Sequence, residues 1–258
     1  MTDTPVGDVP LLRLRGVAKH FGPVQALSGV DLDIPAGQVT ALVGDNGAGK
    51  STLIKSISGI WAIDGGEMQW KGKRVHLSTP RDAAHLGIAT VYQDLALCDN
   101  LDIVQNMFLG REVVKSRLLD EGSMEKRAGR TLSDLSVTTV KSVRQLVGSL
   151  SGGQRQAVAV ARAVMEDAEL VILDEPTAAL GVSQTAMVLD LVTKLRDRGI
   201  AVLIISHNLN DVFAVADRIA VLHLGKMARS APKSELDTQG VVELITTGTT
   251  TQPAVTKG

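Results

Sequence analysis

Hydrophobic and polar residues alternate in two short segments near the N-terminus. In residues 11–14 and 30–34, apolar side chains such as Leu12 and Leu14 occupy every second position, and Asp31 and Asp33 interrupt the apolar residues of the second segment. A period of two is typical of strands that bury one face and expose the other. We therefore predict half-buried antiparallel strands in this part of the chain.

Continuous apolar runs mark the strands expected at the centre of the fold. Residues 170–173 and 201–205 are short and rich in valine, isoleucine and leucine, as is usual for parallel strands covered on both faces. Between them, apolar residues recur at helical spacing and stop at Gly199, which predicts one βαβ unit. The apolar face of this helix consists of Met187, Val188, Leu191, Val192 and Leu195.

The segment 94–168 has a different character from its flanks. It carries helical patterns, many charges and no convincing strand, so we predict a helical lobe inserted into the sheet domain. The expected organisation is therefore a core formed by residues 1–93 and 169–245, with the lobe between its two parts.

The C-terminal part of the chain is expected to form one more element and then a tail. Residues 218–231 predict a hairpin around Gly225. The threonine-rich residues 246–258 have too little apolar content to form a packed core, and we predict that they are disordered.

Composition limits the classes of function. The 258 residues carry 27 Lys and Arg against 28 Asp and Glu, so the charge shows no footprint for nucleic acid, which we do not expect as a partner. Cys98 is the only cysteine and excludes an intrachain disulfide. Apolar runs of about five residues are far below the roughly 20 needed to cross a bilayer. Residues 1–10 lack the features of a secretory leader, and we expect a cytoplasmic protein.

A glycine-rich turn carries the strongest chemical signal. Residues 44–51 match G-x-x-x-x-G-K-[ST] in full, between a predicted strand at 38–43 and a predicted helix at 50–58. In this motif backbone N–H groups surround a phosphate, Lys50 reaches the terminal phosphates and the Ser51 hydroxyl ligates Mg²⁺. The alternative is a turn that merely precedes a helix, but Lys50 and Ser51 are both in register. The predicted phosphate-binding residues are Gly44, Asp45, Asn46, Gly47, Ala48, Gly49, Lys50, Ser51 and Thr52.

Two adjacent carboxylates follow the buried strand at 170–173. Strands of an open parallel sheet deliver such groups to the edge where ligands bind, beside the phosphate loop. Asp174 would help to hold Mg²⁺, and Glu175 would act as the general base for an attacking water. Taken alone, the pair is more often a solvated strand end. In combination with the loop, the functional interpretation is favoured.

The residues Ser151 to Gln154 permit two interpretations. S-x-x-Q is a capping box at the start of a helix, and that explanation is physically complete. However, glycines in a first helical turn cost roughly 1 kcal/mol each, which suggests that something approaches this backbone closely. A helix N-terminus with free N–H groups is also an anion site.

In combination, four motifs resemble those of the ATP-binding subunit of an ABC transporter. They are the phosphate loop, the sequence Leu-Ser-Gly-Gly-Gln at 150–154, the Asp174-Glu175 strand end and Ser206-His207. The resemblance covers roughly residues 11–240. It implies an α/β fold with a P-loop NTPase core: a mixed, mainly parallel sheet, an N-terminal antiparallel β subdomain and the inserted helical lobe. It also implies that ATP and Mg²⁺ are the cofactors and that the chain hydrolyses ATP.

The resemblance assigns roles to further residues. Phe21 resembles the aromatic on which adenine stacks, and Gln93 resembles the glutamine that touches Mg²⁺ and senses the membrane partner. His207 resembles the switch histidine at the γ-phosphate. Ser151, Gly153 and Gln154 belong to the signature that closes on ATP held by the opposite subunit. The implied catalytic set is therefore Glu175, His207, Gln93 and Lys50, with Ser51, Gln93 and Asp174 at the metal.

A more specific resemblance is to the ribose, xylose and fructose importers, including their single-cassette members. It is carried by residues 44–55, 99–112 and 175–181. This implies a homodimer that works with a membrane permease and, through it, an extracytoplasmic sugar-binding protein, at the cytoplasmic face of the membrane. One departure is Gly181, where the wider family usually has Asp. Two alternatives remain: a soluble ABC protein of translation or DNA repair, and a phosphate-loop kinase for a small molecule.

Overall fold

The computed structural model describes residues 9–137 and 139–249. Its strands are β1 (Leu12–Phe21), β2 (Val24–Ile34), β3 (Val39–Val43), β4 (Gly65–Trp70), β5 (Lys73–Val75), β6 (Ile88–Val91), β7 (Val114–Lys115), β8 (Leu118–Leu119), β9 (Leu170–Asp174), β10 (Ala201–Ile205), β11 (Arg218–His223) and β12 (Lys226–Pro232). Its α-helices are α1 (Lys50–Ile57), α2 (Pro80–His85), α3 (Ile103–Phe108), α4 (Glu121–Asp134), α5 (Gly152–Val164), α6 (Val182–Asp197), α7 (Leu209–Val215) and α8 (Thr238–Thr247).

The N-terminal sheet has the order β2-β1-β4-β5, and its neighbours run antiparallel. The antiparallel strands predicted around residues 11–14 and 30–34 are confirmed, but both are longer than their alternating segments. The reason is irregular pairing: the β1–β2 register shifts after Leu14, Val17 and Lys19. Each shift moves side chains to the other face of the sheet, which hides the period of two.

The central sheet has the order β12-β11-β3-β10-β9-β6. Its inner pairings are parallel, and only β12 at the edge runs antiparallel. The strands predicted at 38–43, 170–173 and 201–205 are confirmed as β3, β9 and β10. β6 escaped prediction because its run Ile-Ala-Thr-Val is short and weakly apolar.

The central strands bury both of their faces, and successive residues pack in different cores. In β9, Val171 and Leu173 belong to a cluster with the helices α3, α4 and α5. Leu170 and Ile172 belong to a second cluster, with the N-terminal sheet and α1. Two-sided burial explains why these strands are continuously apolar in sequence, and it fixes the positions of their carboxyl ends.

Along the chain, the helices α3, α4 and α5 come between β6 and β9, in the segment where helical patterns were expected. The prediction that residues 94–168 contain no strand is wrong, because β7 and β8 pair as a small hairpin. Its turn residues Ser116 and Arg117 have φ of 51° and 67°. Positive φ at both turn positions usually selects Asn-Gly, so this hairpin lacks the sequence signal of its turn.

The predicted C-terminal hairpin is confirmed by β11 and β12, which turn at Gly225. The predicted disorder from residue 246 begins too early, because Thr246 and Thr247 are helical in α8. Their hydroxyls donate to the carbonyl oxygen of Glu243 at 3.0 and 2.9 Å, and α8 ends at the left-handed Gly248. Residues 250–258 lie outside the described residues.

Within the described residues, no helix combines the length and the apolar character that a membrane span requires.

Candidate functional site

The phosphate loop connects β3 to α1, and close backbone approaches require two of its glycines, Gly44 and Gly49. A Cβ on Gly44 would lie 2.3 Å from the carbonyl oxygen of Leu222 in β11. A Cβ on Gly49, where φ is 104°, would lie 2.8 Å from the carbonyl oxygen of Ala26 in β2. Backbone bonds add to this, since Gly225 N donates to Ala48 O at 2.9 Å. The loop is therefore held between the two sheets.

Lys50 begins α1 and reaches back over the loop. Its Nζ donates to the carbonyl oxygens of Gly44 at 2.7 Å and Asp45 at 3.0 Å. Burial lowers the pKa of Lys50, an effect opposed by the negative charges of Glu175, Asp45 and Asp174. The ammonium is thus poorly solvated, and a phosphate in the loop would offer it a stronger partner than neutral carbonyls.

Two carboxylates follow at the end of β9. Asp174 pairs with Ile205 of the neighbouring β10. Burial raises the pKa of Asp174, the charge of Glu175 raises it further, and Lys50 opposes the shift. A desolvated carboxylate beside a second one favours a bound cation.

Glu175 is fixed by unusual backbone geometry. Its φ is 50°, a left-handed conformation that is uncommon outside glycine, and its N–H donates to Ile205 O at 3.0 Å. Its side chain is 17% exposed, and its Oε2 lies 2.8 Å from Nδ1 of His207. The His207 side chain is 73% exposed. Glu175 is thus held in the wall of the cavity, while His207 is open to solvent.

These elements surround a cavity of about 840 Å³. Its lining brings together all the residues predicted from the phosphate loop (44–52) with Gln93, Asp174, Glu175 and His207. Several lining residues, which come from β2 and from the turn after β11, were not predicted from the sequence. Nothing in the local sequence pattern marks these residues as part of a site, so only the packing of the two sheets could identify them. They are Val24, Gln25, Ala26, Leu224 and Gly225.

The cavity contains a donor set that suits Mg²⁺. Ser51 contributes a hydroxyl, Gln93 an amide oxygen and Asp174 a carboxylate, and all three residues line the cavity. Oxygen ligands are those that Mg²⁺ prefers, usually one or two carboxylates together with substrate phosphates. Burial, and after it the charge of Glu175, raises the pKa of Asp174, and a cation here would favour the charged carboxylate against both effects.

Phe21 lies apart from the other predicted residues. It is 40% exposed and is not among the residues that line the cavity. Its cross-strand partner is Val24, which does line it. Because directly paired residues share one face of a sheet, Phe21 is on the rim of the cavity.

The signature residues also lie outside the cavity of their own chain. Ser151 caps α5: its Oγ accepts from Gln154 N at 3.3 Å, and Gln154 Oε1 accepts from Ser151 N at 2.9 Å. The capping box is confirmed. Gln154 also donates from Nε2 to Thr139 O at 2.6 Å, so the start of α5 is tied to the preceding loop.

The two glycines of the signature have a packing explanation within the chain. A Cβ on Gly152 would lie 2.7 Å from Cδ2 of Leu180, and a Cβ on Gly153 would lie 2.6 Å from Cε of Met187. The sequence suggested that something approaches the backbone of these glycines closely. Side chains of α6 and of the loop before it make such an approach within the chain. A Cβ at either position would first displace the flexible ends of the Leu180 and Met187 side chains.

Asp174→Asn is expected to raise the melting temperature of the nucleotide-free protein at pH 7. A carboxyl whose pKa is raised on folding stabilises the fold below its ordinary value of 3.8, and that contribution is lost as the pH rises through the folded pKa. Above the folded pKa the buried, charged Asp174 destabilises the folded chain, and the neutral Asn lacks this charge. The increase in melting temperature should therefore become smaller as the pH falls from 7 towards 4. Thermal melts would measure it. Asp45→Asn, at an exposed residue of the same cavity, is the control and should give no gain, and an equal gain from both would contradict the explanation.

Comparison with known proteins gives consistent matches. A family model described as ABC transporter matches residues 27–178. The fructose import ATP-binding protein FrcA of Rhizobium meliloti is 48% identical over 224 residues, covering 84% of this chain and 86% of that protein. The xylose/arabinose import ATP-binding protein XylG of Sulfolobus acidocaldarius is 47% identical over 236 residues, covering 92% and 94%.

Solved structures match over nearly the same extent. The ADP conformation of MJ1267, an ATP-binding cassette of an ABC transporter, superposes with a TM-score of 0.78 at 27% identity, covering 92% of this chain and 95% of that one. A dimeric post-hydrolysis state of the cassette MJ0796 with ADP and Pi gives 0.71 at 25% identity, covering 86% and 98%. The α/β fold expected from the sequence is thus confirmed, and the chain belongs to the ABC transporter family as an ATP-binding cassette.

Proposed function

We propose that this chain is the ATP-hydrolysing subunit of an ABC importer for a sugar. The observation that carries the proposal is the single cavity in which the phosphate loop, Asp174, Glu175 and His207 meet. Sugar as the cargo is supported by the names of the relatives, which are import proteins for fructose and for xylose or arabinose.

The residues of the cavity divide the chemistry among them. Backbone N–H groups of residues 44–51 and the start of α1 bind the phosphates of ATP, and Lys50 exchanges its carbonyl partners for the terminal phosphates. Glu175 accepts the proton of the attacking water. His207, whose Nδ1 lies 2.8 Å from Glu175 Oε2, donates its ring N–H to the γ-phosphate in place of Glu175 once ATP is bound. Mg²⁺ held by Ser51, Gln93 and Asp174 would neutralise charge that develops on the phosphates.

A second copy of the chain would complete each site. Ser151 and Gly153 lie outside the cavity of their own chain, so they act on ATP only if another subunit presents its cavity to them. The dimeric cassette MJ0796 supports this arrangement. Thus two chains would enclose two ATP molecules, each between one phosphate loop and the partner's signature.

A groove beside Gln93 fits a permease contact. It lies between α2, β6 and α5, and residues on its two sides include Ala83, Tyr92 and Ala163. Arg111 and Glu166 form an ion pair of 3.3 Å at its edge. Because Gln93 directly follows Tyr92, a permease segment in this groove would sense the metal site. We place the chain at the cytoplasmic face of the membrane, where the permease would link it to an extracytoplasmic sugar-binding protein.

The same proposal includes the division into domains. Residues 1–93 and 169–245 would form the ATP-binding core, and 94–168 the helical lobe that carries the signature. The groove lies between these parts, so that rotation of the lobe after hydrolysis would be passed to the permease.

A pull-down from membranes tests the function. The tagged chain is expected to retain a permease with several membrane spans, and ATP hydrolysis should be faster in the complex, because docking raises the effective concentration of the two cassettes. ATPase assays with and without the permease measure this. Lys50→Ala is the control and should still retain the permease but hydrolyse ATP about 10²–10³-fold more slowly. If only soluble proteins are captured, or if a small molecule is phosphorylated, the importer proposal is wrong.

A further inference from the structure

An aromatic pair stands at the rim of the ATP cavity. The rings of Phe21 and Trp61 have centroids 4.7 Å apart and planes inclined at 69°. Edge-to-face pairs of this kind are favoured by the ring quadrupoles. Phe21 ends β1, whereas Trp61 lies in the loop between α1 and β4, so the contact joins the antiparallel sheet to the segment that follows the phosphate-loop helix.

Trp61 is itself held by that helix. The Lys55 Nζ lies 4.6 Å from the Trp61 ring centroid, and Trp61 N donates to Lys55 O at 3.1 Å. Since α1 begins at Lys50, a short chain of contacts runs from the phosphate loop through Lys55 and Trp61 to Phe21. The position of the Phe21 ring therefore depends on the element that binds the phosphates.

The loop after Trp61 is also fastened to the end of β1. The Asp64 carboxylate accepts from Lys19 Nζ at 3.0 Å and from His20 N at 2.6 Å, and Asp64 N donates to Ala18 O at 2.9 Å. The Lys19 Nζ lies 5.5 Å from the Phe21 ring centroid. Phe21 is thus supported by Lys19 and Trp61, while 40% of the residue stays exposed.

We propose that Trp61 is a positioning residue for base recognition: it holds Phe21 at the angle at which the ring stacks on the adenine of ATP. The inference rests on the proposed function and on the sequence resemblance, in which Phe21 corresponds to the aromatic residue that stacks on adenine. It assigns to Trp61 an effect on affinity for nucleotides, which carry a base, and none on affinity for a bare polyphosphate. A ring that is already immobilised loses less conformational freedom when the ligand binds.

Binding of ATP and of inorganic tripolyphosphate to the full chain, measured calorimetrically with Mg²⁺, tests this assignment. Trp61→Ala is expected to weaken ATP binding by about three- to tenfold, the equivalent of one aromatic contact, and to leave tripolyphosphate binding unchanged. Trp61→Phe should restore most of the ATP affinity. Trp70→Phe, at a tryptophan buried in β4, is the matched control and should not alter it. In the permease complex, Trp61→Ala should raise KM for ATP at unchanged kcat.

A double variant shows whether Trp61 acts through Phe21. Phe21→Ala alone should weaken ATP binding, and adding Trp61→Ala should cause no further loss. The assignment would be overturned if Trp61→Ala weakened the binding of ATP and of tripolyphosphate equally. It would also be overturned if the losses of ATP affinity from Phe21→Ala and Trp61→Ala were fully additive in the double variant. If Phe21→Ala weakens ATP binding and Trp61→Ala does not, Trp61 is no positioning residue but Phe21 keeps its proposed role, and if neither matters both assignments fail. Should Trp61→Ala not fold, Trp61→Leu serves in its place.

Discussion

Glu175→Gln is expected to slow ATP hydrolysis by about 10²–10⁴-fold, the usual contribution of a general base. The amide keeps the size of the side chain and can still bond to His207, which lies 2.8 Å from Oε2 in the native chain, but it cannot accept the proton of the attacking water. ATP binding should survive, because the phosphate loop is untouched. Consequently the ATP-bound dimer should accumulate, which size-exclusion chromatography with ATP would detect.

The control for this variant is Glu169→Gln. Glu169 stands immediately before β9, at the opposite end of the strand from Glu175, and pairs with Lys71 at the surface. Because it is remote from the cavity lining, its replacement should leave hydrolysis unchanged. Wild-type turnover by Glu175→Gln, with only monomer present in ATP, would exclude Glu175 as the base.

Mixed dimers of Lys50→Ala and Ser151→Arg chains are expected to recover one working site out of two. Each homodimer should be inactive, because each of its sites contains a defective loop or a defective signature. Loss of the Lys50 charge removes stabilisation of the transferring phosphoryl group, for which losses of about 10²–10³-fold are typical. In the mixed dimer one site collects both defects, and the other combines an intact phosphate loop with an intact signature.

The suitable measurement is ATP occlusion per mixed dimer, with the two chains carrying different tags. One ATP should be retained per dimer. Turnover is a less direct measurement, since it depends on coupling between the two sites. Gly181, the residue before α6, offers no side chain for such coupling, whereas the wider family usually has Asp at this position. If Ser151 were only a helix cap, Ser151→Arg would cost about 1 kcal/mol of stability, and mixing would restore nothing. Equal occlusion by Ser151→Arg homodimers and wild type would exclude the cross-subunit role.

Local patterns were sufficient to predict much of the fold. The runs that became β3, β9 and β10 are recognisable because two-sided burial demands apolar residues at every position. α1 and α6 follow from helical spacing that stops at a glycine. The β7–β8 hairpin was not predictable, since its left-handed turn uses Ser116 and Arg117 in place of the residues that usually mark such turns.

Motifs with a strict spacing predicted the residues that meet at the centre of the cavity. Lys50 and Ser51 follow the loop glycines at a fixed spacing in sequence, so a phosphate-binding role could be predicted from the sequence alone. Asp174 and Glu175 were identified because a buried strand must end at the edge of the sheet. In each case the prediction rested on residues that are near neighbours in sequence.

Contacts between distant segments could be found only in the folded structure. The approach of Gly44 to Leu222 and of Gly153 to Met187, the bond between Glu175 and His207 and the pairing of Phe21 with Trp61 each join different elements. Such contacts depend on how two sheets and a group of helices pack, and no local pattern encodes that geometry. Local sequence patterns were therefore enough to predict which groups meet in the cavity, whereas packing set how each group is held and how its charge is solvated.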